Sequence, residues 1–202
     1  MHCGHDIGMP IEFVGFTVDR RITAMIPLAD DRLSDMLNSV TRVVLRDAVV
    51  GDLVEGGPAL TGDVTLPVGD LIAVVGTGRR GSESRRRRTA VRRVSVGLGR
   101  YTVTGSLHVD PTERDFPQHA DPASILAGRD VLVPVTDASI TYDCENVSTT
   151  ESYETILVNR ARASWIEIQP EVDEEDDGSE AAADAAEART RYVKDFTGTV
   201  AD

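Results

Sequence analysis

Two segments rich in β-branched residues dominate this chain. VTRVVLRDAVVGD lies within 40–52 and VLVPVTDASITYD within 131–143, and a displacement of 90 residues places Asp137-Ala138 on Asp47-Ala48. The segments flanking them follow the same order. VTGSLHV from Val103 aligns with ITAMIPL from Ile22, with Thr104 on Thr23 and Leu107 on Ile26. TILVNRARASW from Thr155 aligns with TLPVGDLIAVV from Thr65, with Val158 on Val68. Val, Ile and Thr at alternating positions favour half-buried strands, and a pattern that returns in the same order is the signature of a repeated unit. The expected fold is therefore mainly β with short helices: two tandem similar small β-barrel or sandwich domains.

Between the strands the expected order is strand or hairpin, short helix, strand, turn, strand. In the first copy the charged Asp19-Arg20-Arg21 marks a turn or exposed edge, and Asp30 or Asp31 is expected to cap a helix carrying Leu33, Met36 and Leu37 at i, i+3 and i+4. In the second copy, after an insertion containing TERDFPQHA, Asp121-Pro122 and Gly128 form a helix start and stop. The expected domains are a leader over 1–12, a first β domain over 13–78, an arginine-rich connector over 79–93, a second β domain over 94–169, and 170–202 as a disordered acidic linker with a C-terminal helix. The linker is read from PEVDEEDDGSE, whose like charges oppose packing, and the helix from AAADAAEARTRYVKDF.

The second half resembles an uncharacterised family of small bacterial β-domains. The residues that carry the likeness are Gly105, Leu107 and His108 on one strand, Thr136-Asp137-Ala138 on the next, and Val158-Asn159 in the closing strand. The first half keeps Leu33-Ser34-Asp35 and Asp47-Ala48, but has Pro27 in place of the histidine and Gly69 in place of the asparagine. The resemblance implies a small β-barrel or sandwich and carries no established chemistry with it.

Charge is segregated. The connector RRGSESRRRRTAVRR holds Arg79, Arg80, Arg85, Arg86, Arg87, Arg88, Arg92 and Arg93 against one acid, Glu83, in a protein of net charge −13. These arginines are the candidate electrostatic binding residues, for phosphates or for the chain's own acidic tail. An acidic remainder and the absence of aromatics among the arginines disfavour nucleic acid as partner.

Catalytic signals are weak. Gly76-Thr77-Gly78 lacks both the G-x-G-x-x-G spacing and a P-loop lysine, and His108 and His119 have no nucleophile elbow beside them. Asp47 and Asp137 occupy equivalent places and offer a paired carboxylate site, but each is rather expected to cap or terminate its strand by bonding nearby backbone amides. His2, Cys3 and His5 crowd too closely to surround an ion, so no metal and no cofactor are expected. Two cysteines, no signal-peptide pattern and no run of roughly 18 apolar residues suggest a cytoplasmic protein without a membrane span. The expected function is non-enzymatic: a protein-binding or self-associating assembly module. Nucleic-acid binding through the connector and an unrecognised hydrolase or metal-dependent enzyme are the alternatives.

Overall fold

The structure, a computed structural model, describes residues 9–28, 32–53, 59–76, 90–109, 130–144 and 147–169. Alternation dominates locally. In RRITAMIPL, Ile22, Ala24, Ile26 and Leu28 are buried and the residues between them lie nearer solvent, so the segment extends as a strand with one face inward. YTVTGSLHV behaves in the same way through Tyr101, Val103, Leu107 and Val109.

The strands are β1 (Met9–Phe16), β2 (Arg20–Leu28), β3 (Arg42–Asp52), β4 (Leu60–Pro67), β5 (Ala73–Val75), β6 (Ala90–Leu98), β7 (Tyr101–Val109), β8 (Leu132–Cys144), β9 (Val147–Asn159) and β10 (Trp165–Ile168). A single α-helix among the described residues, α1 (Leu33–Ser39), buries Leu33 and Leu37. Its N-cap position is Arg32, which makes no side-chain cap; Asp30 and Asp31, the expected caps, lie outside the described residues. No helix among the described residues is long and apolar enough to cross a membrane.

All ten strands join one antiparallel sheet in the order β10-β6-β7-β8-β9-β5-β1-β2-β3-β4. The sheet stays open, with β10 and β4 at its edges, so it does not close into a barrel. The reason is the joint between the halves. β5 pairs with β1 on one side and with β9 on the other, so backbone hydrogen bonds run through from one half to the other. The strand-like sequence 94–109 lies in the β6–β7 hairpin, which turns at Gly99-Arg100, with Gly99 at φ 69°. The first of these strands starts at Ala90, so Arg92 and Arg93 belong to β6 rather than to a connector.

Strand order recurs across the joint: β5-β1-β2-β3-β4 is followed on the far side by β10-β6-β7-β8-β9. So does a local irregularity. Asp47 and Ala48 together oppose Ala24, and Asp137 and Ala138 together oppose Gly105, each pair marking a register shift. Asp47 has φ 49° and Asp137 φ 46°. These aspartates therefore do not end their strands, as expected from sequence; each is the left-handed residue of a β-bulge inside one. Aspartate tolerates that conformation better than most side chains, and the bulge increases local twist. The closing strands correspond at a displacement of 92 rather than 90, because Pro67 and Asn159 occupy the same place, opposite Arg42 and Leu132.

Two cores result, on opposite faces of the sheet. Phe13, Ile22, Leu45, Leu37 and Leu66 belong to one; Phe16, Val96, Val103, Ile140 and Ile156 belong to the other. Strand β5 serves both, sending Val74 to the first and Ala73 and Val75 to the second. The second half curls tightly. Tyr101 on β7 and Phe16 on β1 are four strand positions apart, about 19 Å along a flat sheet, yet their ring centroids lie 5.8 Å apart. Tyr142 completes the aromatic cluster, 5.5 Å from Phe16.

The bulge makes a direct prediction. Asp137→Gly relieves the left-handed strain and is expected to unfold at the same or a higher urea concentration than the parent. Asp137→Val, β-branched at a positive φ, is expected to lose about 1–2 kcal/mol in the same measurement.

Candidate functional site

Three places combine polar chemistry with shape: a tyrosine–carboxylate cluster, the asparagine-locked joint, and a groove beside β4.

The cluster centres on Glu151. On β9 the spacing Glu151-x-Tyr153 puts both side chains on one face, where Tyr142 of β8 and Arg21 of β2 meet them. Arg21 Nη2 lies 3.2 Å from Glu151 Oε2, and the hydroxyls of Tyr142 and Tyr153 both donate to the same carboxylate. Burial alone would raise the Glu151 carboxyl, but the two phenol hydrogen bonds and the Arg21 charge outweigh it and hold the group below the usual carboxylate range. Burial first, then bonding to the anionic Glu151, raises both Tyr142 and Tyr153. Tyr101, buried nearby, is pushed up to about 12, and its hydroxyl donates to Thr17 O. A carboxylate so fully supplied with donors is a clamp between β2 and β9, not a base awaiting a proton.

At the joint, Asn159 is fully buried and its side chain works on two fronts: Nδ2 donates to Leu71 O at 2.7 Å, and Oδ1 accepts from Ala161 N at 3.0 Å. Its backbone N–H donates to Ile72 O at 2.9 Å. Asn38 of α1 pairs with both backbone groups of Leu132, each at 2.9 Å. Arg162 adds Nε and Nη2 to Gly69 O, at 3.1 and 3.0 Å. The Val-Asn pair singled out in the sequence is thus a structural fastener.

The groove, about 470 Å³, is bordered by the β1–β2 turn, by β2, β3 and β4 of the first half, and by Arg162 of the second. Ile22, Val50, Val64 and Leu66 form its apolar part, while Asp19, Arg20, Asp63, Asp70 and Arg162 contribute charge. Several of these charges are engaged: Asp63 Oδ1 accepts from Asp47 N at 3.3 Å, and Arg162 lies 3.6 Å from Asp70. Its described lining residues include no histidine, cysteine or serine.

The residues expected from sequence to carry function do not gather here. Arg92 and Arg93 lie on β6, where Arg92 Nη1 donates to Val91 O at 3.4 Å. Arg79, Arg80, Arg85, Arg86, Arg87 and Arg88 lie outside the described residues, as do His2, Cys3, His5, His119, the helix at 121–128 and the whole of 170–202. His108 is exposed on β7, with Nε2 2.9 Å from Thr136 Oγ1. Asp47 and Asp137 are exposed in separate halves and form no paired carboxylate. Among the described residues no group of His, Cys, Asp and Glu is arranged to hold a metal ion. The clamp residues Arg21, Tyr142, Glu151 and Tyr153 were missed in the sequence; the alternation of Glu151 with Tyr153 was the available signal. No family model, no curated protein and no solved structure matches the chain.

Because the Glu151 carboxyl is depressed in the folded state, its stabilisation is present above the unfolded-state value of about 4.3 and is lost as pH falls through the folded value. The raised tyrosines act at the other end, stabilising the fold below about pH 10 and ceasing to do so as pH rises through their folded values. Glu151→Gln is expected to lower stability at neutral pH by about 1–2 kcal/mol and to flatten the acid limb of a urea-midpoint profile between pH 5 and 3, each limit being approximate.

Proposed function

We propose that this chain is a non-enzymatic binding and assembly module, built from a duplicated β unit, that takes up a further strand on an exposed sheet edge. The observation that carries this reading is the joint itself. Within the chain, β9 already receives β5 by edge pairing, Ala73 opposite Val158 and Val75 opposite Ile156. The counterpart of β9 in the first half is β4, which has the corresponding edge and no strand beside it among the described residues. An apolar groove lies next to that edge. Strand addition draws its affinity from main-chain hydrogen bonds and its selectivity from pockets for alternate side chains.

Several features support duplication as the origin of this arrangement: the recurrent strand order, the matched bulges at Asp47 and Asp137, and the shared short 3₁₀ turns at Val68–Asp70 and Arg160–Arg162. The clamp at Glu151 and the engaged charges around the groove favour a binding surface over a reaction centre.

A peptide spanning Leu71–Gly76, the natural occupant of the equivalent edge, tests this reading. At about millimolar concentration it is expected to slow amide exchange at Thr65 by at least about fivefold while leaving β7 unaffected. No protection at Thr65 would remove strand addition as the function of this edge.

A further inference from the structure

The groove has a counterpart, and in the counterpart it is full. Ile22, Val50, Val64 and Leu66 correspond through the recurrent pairing to Val103, Ile140, Ile156 and Val158. All four of the latter are completely buried, in one core with Phe16, Ile72 and Ala73 from the other side of the joint. The first half thus plugs the second. In the first half Ile22, Val50 and Leu66 are buried as well, in one core with Leu132 and Leu157, yet a groove still borders them, and among the described residues no aromatic ring in the place of Phe16 fills it.

The plug has a counterpart as well, at the opposite end of the molecule. Phe16 corresponds to Gly97, Ile72 to Ser164 and Ala73 to Trp165. Gly97 carries no side chain, but the space belongs to an aromatic ring nonetheless: a Cβ built there would meet Trp165 Nε1 at 2.0 Å. The indole of Trp165 therefore stands where the repeat calls for Phe16. The local hydrogen bonding is conserved too, since Ile72 N donates to Phe16 O at 2.7 Å and Ser164 N to Gly97 O at 2.8 Å.

The two edges are also correctly polarised for pairing. Val68 N donates to Thr41 O at 3.0 Å, so by the alternation of an antiparallel ladder Leu66 and Val64 bond towards β3, and Thr65 points its backbone groups outward. Gln169 N donates to Arg93 O at 2.9 Å, so Glu167 and Trp165 bond towards β6 and Ile166 and Ile168 point theirs outward.

We propose that a second copy of this chain is the occupant: β10 of one copy adds antiparallel to β4 of the next, with Trp165 entering the groove at Ile22, Val50, Val64 and Leu66. This rests on the strand-addition reading and names its partner. The register follows from the internal joint, with Trp165 opposite Leu66, Ile166 opposite Thr65 and Glu167 opposite Val64. Such a contact joins two different surfaces, at opposite edges of one sheet, so it can continue from copy to copy into chains or a ring.

The contact is weaker than the joint it copies. Pro67 stands in the place of Asn159 and has no N–H to give, and Glu167 stands where Val75 is buried. Each copy also carries a net charge of −13, so like-charge repulsion opposes approach at low ionic strength and salt screens it.

Sedimentation of the full chain reads this directly. Mean mass is expected to rise with protein concentration beyond that of a dimer, and to rise further between about 0.05 and 1 M salt, with a blue shift of the single tryptophan's fluorescence. Thr65→Pro deletes an outward N–H that β3 does not use, and is expected to weaken association at least about tenfold, through one lost bond and a steric block. Register is read by oxidation in a Cys3→Ser, Cys144→Ser background. Mixed Val64→Cys and Glu167→Cys chains are expected to cross-link at least about ten times faster than Asp63→Cys with Glu167→Cys, which face opposite sides of the strand. Equal rates for the two mixtures, or no cross-link in either, would overturn the proposal. So would a monomer at every concentration and salt; if the Leu71–Gly76 peptide still protects Thr65 in that case, strand addition survives and only the second copy is excluded.

Discussion

Everything in this fold depends on a three-residue strand buried on both faces. Ala73, Val74 and Val75 are at most 3 % exposed, and successive side chains along β5 enter different cores. An ordinary half-buried strand would leave one of those faces wet. Here each half supplies the cover that the other needs, so the sheet changes its buried face at the joint instead of closing on itself. The joint is fastened by directional bonds as well as apolar area: Asn159 satisfies the carbonyl of Leu71, and the Arg21–Glu151 clamp spans the same junction from β2 to β9. Removing one partner of such a network leaves buried groups unpaired, which costs more than the pair itself contributes.

Much of the strand content was legible, because alternation in RRITAMIPL and YTVTGSLHV has one reading at that length. The recurrence of Asp47 and Asp137 was legible as well, but its meaning was not. A left-handed residue inside a strand leaves the side-chain pattern nearly intact, so the sequence reads as an uninterrupted strand with an acid near its end. The closing strands were misaligned by two residues for a related reason: a slip of two keeps every side chain on its own face, and periodicity cannot detect it. VTLPVGDLIAVVG also looked like one strand. Pro67 ends β4, a short 3₁₀ turn follows at Val68–Asp70, and the chain then enters the middle of the sheet as β5.

The contacts that make the candidate site were the least legible part. Arg21 and Glu151 are far apart in the chain, and nothing in either local pattern points to the other. The louder signal, the arginine cluster, describes charge without placement; of its members, Arg92 and Arg93 are strand residues on β6. The Val158-Asn159 pair carried information that composition could not decode. Its asparagine is the residue whose side chain and backbone both bond across the joint.

The same repeat positions perform opposite tasks at the joint and at the free ends. At the joint, Val14, Val75 and Leu157 are buried; their counterparts are Ser95, Glu167 and Thr65, and Ser95 Oγ lies 3.0 Å from Thr104 Oγ1 and accepts from Gln169 Nε2 at 3.1 Å. Under the proposed duplication, exposed Thr65 and half-buried Glu167 give the two edges the more polar surface that terminal units of a repeat need, while Ser95 is itself buried. These exchanges also separate two quantities that a perfect copy of the joint would have tied together. Backbone complementarity between β10 and β4 is retained at Ile166 and Thr65, while the apolar area that would make the contact permanent is trimmed at Glu167 and Thr65. Trp165 over Gly97 restores one large apolar anchor at one end, facing the kind of cavity that the first half leaves beside β4. An edge trimmed everywhere except at one anchor is suited to reversible rather than permanent contact, since main-chain pairing fixes the geometry and a single buried ring sets the strength.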